Sequence, residues 1–256
     1  MHTGGEERAG MLERQSVQAV SRFDPPVELW AESVAPQEMS NSVSAGFAQR
    51  AGLTRRVAVL AVDLQNYMVG PSGPGDRRTY PSSCGETGRR AIALCARLIA
   101  AARSAAVPVI YTKFVLRADG VDAGGYARKR TLLDVEGWAL RDTHGSQVAE
   151  SVRPLDSELV IEKTKSSAFF GTPLASHLID RNVDTLVVIG GSTSNCVRAT
   201  VVDAASLNFH VAVPAECVFD RLRSSHLVSL YDMDRLYADV LRTEDLIEWL
   251  TAPNNM

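Results

Sequence analysis

The chain has 256 residues, 45% of them hydrophobic and 22% charged, with a net charge of −3 and a pI near 6.0. That is enough apolar material for one substantial core, and it supplies neither a basic field nor a Lys/Arg cluster interleaved with aromatics for nucleic acid. No apolar run approaches the roughly 20 residues that cross a bilayer, and the N-terminal MHTGGEER lacks the charged-then-apolar pattern of a secretory signal. The expectation is a cytoplasmic protein with a small-molecule partner, no nucleic acid and no membrane.

Residues 1–54 mix polar and apolar positions, contain the breaker Pro25-Pro26 and show no sustained strand pattern. They are expected to form an N-terminal arm, partly helical or flexible, beside the main domain over 55–256; the arm fits either a loose tail or a strap over a neighbouring subunit. From Val57 onward a short apolar run, a polar loop and an amphipathic stretch repeat, which is the βαβ alternation of an α/β fold. The expected strands are 57–62, 107–113, 158–162, 184–190 and 210–215, each apolar enough to be buried on both faces. Helices are expected over 86–105, 172–182, 196–208, 225–238 and 243–251; in the first, Ile92, Cys95, Leu98, Ile99 and Ala102 recur on one side. The long connections 64–85 and 114–157 are of the length that shapes a site or a subunit contact.

Three chemistry-bearing residues fall at the carboxyl ends of expected strands. Asp63 ends the run VAVLAV, Lys163 ends LVIE, and Cys196 follows TLVVIGG across the turn STSN. In a parallel sheet such positions converge on one crevice, so an acid, a base and a nucleophile can meet. A thiol opening a helix is expected to be a depressed-pKa nucleophile, because free N–H groups and the helix dipole favour the thiolate and a later oxyanion. Asp63 can carry the proton, and a lysine can hold it; Lys165 competes with Lys163 on spacing alone. His144, in a turn-rich loop, is a further candidate base, and His177 reads as a structural or surface histidine. Cys84, Cys95, Cys196 and Cys217 form no C-x-x-C pair, and the five histidines form no H-x-x-x-H cluster, so neither metal nor cofactor is expected.

The segments VDLQN (62–66), KTKSSAFFGT (163–172) and GGSTSNCVRA (190–199) resemble the signature segments of the isochorismatase-like cysteine hydrolases, in the family's order, within a match from about Val57 to Leu250. The resemblance selects Lys163 over Lys165. It implies a Rossmann-like three-layer sandwich with a mostly parallel sheet flanked by helices, commonly in a homo-oligomer (dimer or tetramer), and an Asp63–Lys163–Cys196 triad that hydrolyses C–N bonds through a thioester. It also implies a cis peptide between Gly191 and Ser192 that aims the N–H groups of Ser192 and Cys196 at the oxyanion.

Within the superfamily the stretch CVRAT (196–200) with ECVFDR (216–221) is most similar to the N-carbamoylsarcosine and maleamate amidohydrolase branch. There Arg221 matches the arginine that binds the substrate carboxylate, and Asn66 and Phe114 join it as expected substrate contacts. Asn195 stands where that branch often has glycine, and Cys217 where it usually has no cysteine. The segment Pro71–Asp76 has nothing like the Asp-x-His-x-His metal motif of nicotinamidases. The reading is a metal-independent amidohydrolase that releases ammonia. An enol-ether hydrolase using Asp63 without a covalent intermediate, and a non-catalytic binding protein on the same fold, are the competing readings.

Overall fold

The run VAVLAV has three valines among its six residues and no polar residue, and a strand of that kind is stable only when both faces are covered. In the computed structural model, which describes residues 24–70, 80–129 and 138–252, it is β1 (Val57–Val62), every residue of it buried. Residues 1–23 of the arm, segment 71–79 with Pro71–Asp76, positions 130–137 of the second long connection and residues 253–256 lie outside the described part.

Six further strands join β1: β2 (Val109–Phe114), β3 (Leu159–Lys163), β4 (Thr185–Gly191), β5 (His210–Pro214), β6 (Val218–Phe219) and β7 (Asp239–Leu241). All the pairings are parallel, in the order β3-β2-β1-β4-β5-β7, with β6 pairing the end of β4 through Gly190↔Val218 and Gly191↔Phe219. The sheet is therefore the α/β, Rossmann-like sheet expected, with one correction: β3 is an edge strand. Its alternate residues face outward, Val160 among them, so it is not buried on both faces. Strands β6 and β7 are additions, too short to leave a pattern.

Helices cover both faces. They are α1 (Pro36–Ser44), α2 (Asn66–Val69), α3 (Gly85–Ser104), α4 (Leu174–Asp180), α5 (Arg198–Ser206), α6 (Arg223–Leu236) and α7 (Thr243–Thr251). Helix α3 buries the predicted stripe Ile92, Cys95, Leu98, Ile99 and Ala102 against one face of the sheet, with Leu246 and Trp249 of α7 in the same cluster. Helices α4, α5 and α6 bury Leu178, Val201 and Leu230 against the other.

Residues 24–54 lie against α6 of their own chain. Trp30 is buried and tilts against Tyr231 at 6.2 Å between ring centroids. Arg50 pairs with Asp234 at 2.8 Å, and Asp239 accepts the N–H groups of Ala51 and Gly52 at 3.0 and 2.9 Å.

The order reverses between β1 and β4: the chain moves outward to β2 and β3 on one side and to β5 and β7 on the other. That is the switch point at which a parallel sheet opens a crevice at its carboxyl end. The crevice floor demands glycine twice. Gly190 has φ +120°, and a Cβ there would run into the Val62 carbonyl, whereas a Cβ on Gly191 would strike the Phe219 ring and Met68. Gly190→Ala should cost more than about 3 kcal/mol, lowering Tm by roughly 6–12 °C. Gly46→Ala, at φ +86° with nothing within 4 Å, should cost only about 1–2 kcal/mol. Thermal melts of the two variants check this, and equal losses would show that crowding at β1 and β4 is not what holds Gly190.

Candidate active site

Asp63 is the residue at which β1 leaves the sheet, and its φ of +52° turns the chain sharply there. Its N–H is still held by the Thr112 carbonyl at 3.2 Å, and its Oδ1 accepts the Thr112 hydroxyl at 2.8 Å, so the neighbouring strand β2 fixes the carboxylate. Lys163, the last residue of β3, reaches over β2. Its Nζ donates to Asp63 Oδ2 at 2.7 Å and to the carbonyls of Ser166 and Lys165 at 2.9 and 3.1 Å, and lies 5.4 Å from the centroid of the Phe114 ring. Both side chains of the pair are fully removed from solvent. Lys165 turns the other way, toward the carbonyls of Asp122 and Ala123.

Cys196 lies beside this pair, where the Lys163 charge favours the thiolate and the Asp63 carboxylate opposes it. It does not open a regular helix, as the sequence suggested. It sits within a five-residue π-helical turn, Thr193–Val197, that leads into α5, and such turns recur at functional sites. The Ser192 carbonyl accepts the N–H groups of Asn195 and Val197 at 3.0 and 3.2 Å, while Asp220 accepts that of Ser194 at 2.8 Å. These bonds leave out the N–H groups of Ser192 and Cys196. The Gly191–Ser192 peptide is cis.

The thiol's electrostatics reverse the expectation of a depressed pKa. Burial is the largest influence and pushes Cys196 up to about 12; Lys163 acts against it, and Asp63 reinforces it. Burial also works against the Lys163 ammonium, but Asp63 and then Cys196 outweigh it and hold Lys163 above its ordinary value. The resting site is thus a neutral thiol beside a carboxylate–ammonium pair. A neutral thiol becomes a nucleophile when the adjacent carboxylate takes its proton during attack.

The other predicted residues are placed as follows. Phe114 is buried against Lys163 and Trp138 and forms the wall behind the ammonium. Asn66 donates through Nδ2 to the His144 carbonyl at 2.9 Å and lies 3.3 Å from its Nε2. The His144 ring engages the Tyr80 hydroxyl at 2.8 Å, so its bonds go to Tyr80 and Asn66 rather than to the thiol. Arg221 donates through Nε to the Ser82 carbonyl, and its Nη2 lies 3.1 Å from Met68 Sδ. Ser82 also accepts the Trp138 indole N–H at 2.8 Å. Among the described residues, no group of three or more His, Cys, Asp and Glu side chains is placed to hold a metal ion.

Three supporting residues escaped the sequence reading. Thr112 orients Asp63, as above. Gln65 sits fully buried and joins the ends of the strands, accepting the Phe114 N–H at 2.7 Å while donating to the carbonyls of Phe114 and Ser146 at 3.0 and 2.8 Å. Thr200 donates to the Cys196 carbonyl at 2.7 Å and accepts the Ala168 N–H at 2.9 Å, coupling the nucleophile turn to the loop after Lys163. Thr112 and Gln65 had one visible signal, a polar residue in or beside an apolar strand. Thr200 had none.

A switch-point crevice lined by a carboxylate, an ammonium and a thiol is the architecture of a cysteine hydrolase. Residues 57–245 match the isochorismatase domain family, and the chain belongs to it, on its cysteine-hydrolase side. The chain is 34% identical over 208 residues to an N-carbamoylsarcosine amidase of an Arthrobacter species, a match covering 81% of this chain and 76% of that one. It is 35% identical over 207 residues to the maleamate amidohydrolase of Pseudomonas putida, covering 80% and 91%. Among solved structures, an isochorismatase family protein from Desulfovibrio vulgaris superposes with a TM-score of 0.66 at 30% identity, covering 78% of this chain and all of that one.

Two predictions follow from the charge balance. Asp63→Asn removes a group that raises the thiol's pKa and leaves Lys163 facing it unbalanced, so iodoacetamide should alkylate Cys196 at a pH about one unit or more lower than in wild type, while turnover is lost. A profile moving to higher pH would negate this balance. For stability, the thiols of Cys84 and Cys196 are raised by burial to about 12, and burial also raises that of Cys95 well above its ordinary value. A group with a raised native pKa contributes stability below its unfolded value, near 9.0, that is lost as pH climbs through the native one. Tm should therefore fall between pH 9 and 12, and less steeply in Cys196→Ala.

Proposed function

We propose that this hydrolase cleaves the C–N bond of a small amide or N-carbamoyl compound bearing a carboxylate, without a metal, through a thioester on Cys196 and with release of ammonia. The observation that carries the reading is the pair formed by Asp63 and Lys163, buried beside the thiol. The relatives that act on N-carbamoylsarcosine and maleamate support its substrate class.

The Cys196 sulfur attacks the carbonyl carbon while its proton passes to Asp63, and the negative oxygen rests on the Ser192 and Cys196 N–H groups. Asp63 then gives that proton to the departing nitrogen, the C–N bond breaks, ammonia leaves and a thioester remains. Water, giving a proton to Asp63, attacks the thioester, and the proton returns to sulfur as the acid departs. Lys163 stays charged throughout and keeps Asp63 turned toward the thiol. An oxyanion donor contributes about 3–4 kcal/mol in such chemistry.

Arg221 is the residue we assign to the substrate carboxylate. Ser82 and Met68 hold one edge of its guanidinium, an anchorage that suits a charge-assisted contact on the other edge. The four free cysteines fit a reducing, cytoplasmic setting. Among the described residues, no helix is long and apolar enough to cross a membrane. The exposed Phe170 and Ile179 suit a homo-oligomeric contact.

Ammonia release from maleamate and N-carbamoylsarcosine, with the neutral diamide of maleic acid as control, tests the reading. Turnover of at least one acid should survive EDTA and vanish in Cys196→Ser. Arg221→Ala should lose about tenfold or more in kcat/KM for the acid, at about 1.4 kcal/mol per decade, while the diamide changes little. Equal losses for acid and diamide would remove Arg221 from substrate recognition. Loss on chelation, restored by zinc or manganese, would remove the metal-free mechanism.

A further inference from the structure

Asp220 follows β6 and is buried, yet its carboxylate is filled by N–H and O–H donors rather than by a cation. Its Oδ2 accepts the Ser194 N–H at 2.8 Å and the Ser194 hydroxyl at 2.7 Å. Its Oδ1 accepts the Arg221 N–H at 2.7 Å and faces that of Leu222 at 3.4 Å. One side chain thus grips the middle of the turn that carries Cys196 and the backbone of the residue assigned to the substrate carboxylate. A second grip lies beside it: His226 Nδ1 is 2.8 Å from the Thr193 hydroxyl.

We propose that Asp220 is a positioning residue that sets the aim of the Ser192 and Cys196 N–H groups by holding Ser194. The inference rests on the cysteine-hydrolase reading above and extends it. An ionised carboxylate accepts on both oxygens, and donors to a charged acceptor hold more tightly than donors to a neutral one. An amide in its place would turn an NH₂ toward either Ser194 or Arg221, where donors already point. Ser194, at the centre of the π-helical turn, would then move, and the amides on either side of it with it. The thiol lies on the Asp63–Lys163 side and keeps its reactivity. Asp220 therefore acts on the charge that develops on oxygen, not on the sulfur.

Aldehydes separate these two properties. An aldehyde adds the Cys196 sulfur to its carbonyl carbon: the S–C bond forms, the C=O π pair moves to oxygen, and the thiol proton stays on Asp63, so the adduct oxygen carries the charge. The affinity of the adduct reads the oxyanion contacts, whereas iodoacetamide reads the thiol alone. The probes are succinic semialdehyde, which carries a carboxylate, and butyraldehyde, which does not. Asp220→Asn should weaken both adducts about tenfold or more and leave the iodoacetamide rate within about twofold. Arg221→Ala should weaken the succinic semialdehyde adduct alone. Asp220→Asn with both adducts at wild-type affinity would overturn the inference, as would parallel losses in adduct affinity and alkylation. Should Asp220→Asn fail to fold, Ser194→Ala decides, because it removes only the hydroxyl grip: a threefold or greater weakening of both adducts supports the proposal, and unchanged affinity overturns it. A wild-type protein that is alkylated at Cys196 yet forms no adduct with either aldehyde would overturn the underlying hydrolase reading instead.

Discussion

The ion pair between Lys163 and Asp63 is the contact around which the crevice is organised. It joins the outer strand β3 to the central strand β1 across β2, with both side chains out of reach of water. Charges in such a place are expensive to desolvate, and they persist only when their hydrogen-bonding capacity is filled. Here it is: Thr112 takes one oxygen of Asp63, and the carbonyls of Lys165 and Ser166 join the carboxylate around the ammonium. The loop after β3 is consequently folded around its own lysine. Thr200 then ties that loop to the nucleophile turn through the Ala168 N–H. The pair is thus a structural clamp on three strand ends, besides the proton-carrying role proposed for it.

Burial is the largest influence on the protonation state of the thiol, and this clamp works with it. A bare cysteine beside a lysine would be held as a thiolate, but the carboxylate on the same lysine opposes that pull. A neutral nucleophile suits amide chemistry, since the proton taken from sulfur is the one that the departing amine needs.

The fold was largely legible in the chain. Strand β1 coincides with its expected bounds, and the other four expected strands shift by one or two residues, because buried parallel strands are apolar on both faces and polar loops delimit them. The strands β6 and β7, two and three residues long, carried no pattern; β6 takes its place from the end of β4 and β7 from β5. At the site, Asp63, Lys163 and Cys196 could be read because each follows a strand, and the crevice rule then gathers them. What could not be read was through-space: the pull of Asp63 on the thiol, the π-helical turn in place of a plain helix start, and Thr200 acting across 32 residues of chain. Edge strand β3 was misjudged because LVIEK is nearly as apolar as its buried neighbours, and exposure depends on what lies beyond it.

The fork in the sheet has a further meaning for how such a protein can change. Strand β4 pairs with β5 along its first half and with β6 only at its last two residues, while β5 continues into β7. The segment 215–222 pairs with the sheet at two positions and holds the turn of Cys196 through Asp220; Cys217 and Phe219 stay buried in the core, whereas Arg221 and Leu222 are exposed beyond it. A change at Arg221 or Leu222 therefore touches no core ladder. On the assignment of Arg221 proposed above, the residue that selects the reactant stands outside the ladder that carries Asp63, Lys163 and Cys196, a division that lets selectivity change without disturbing the chemistry.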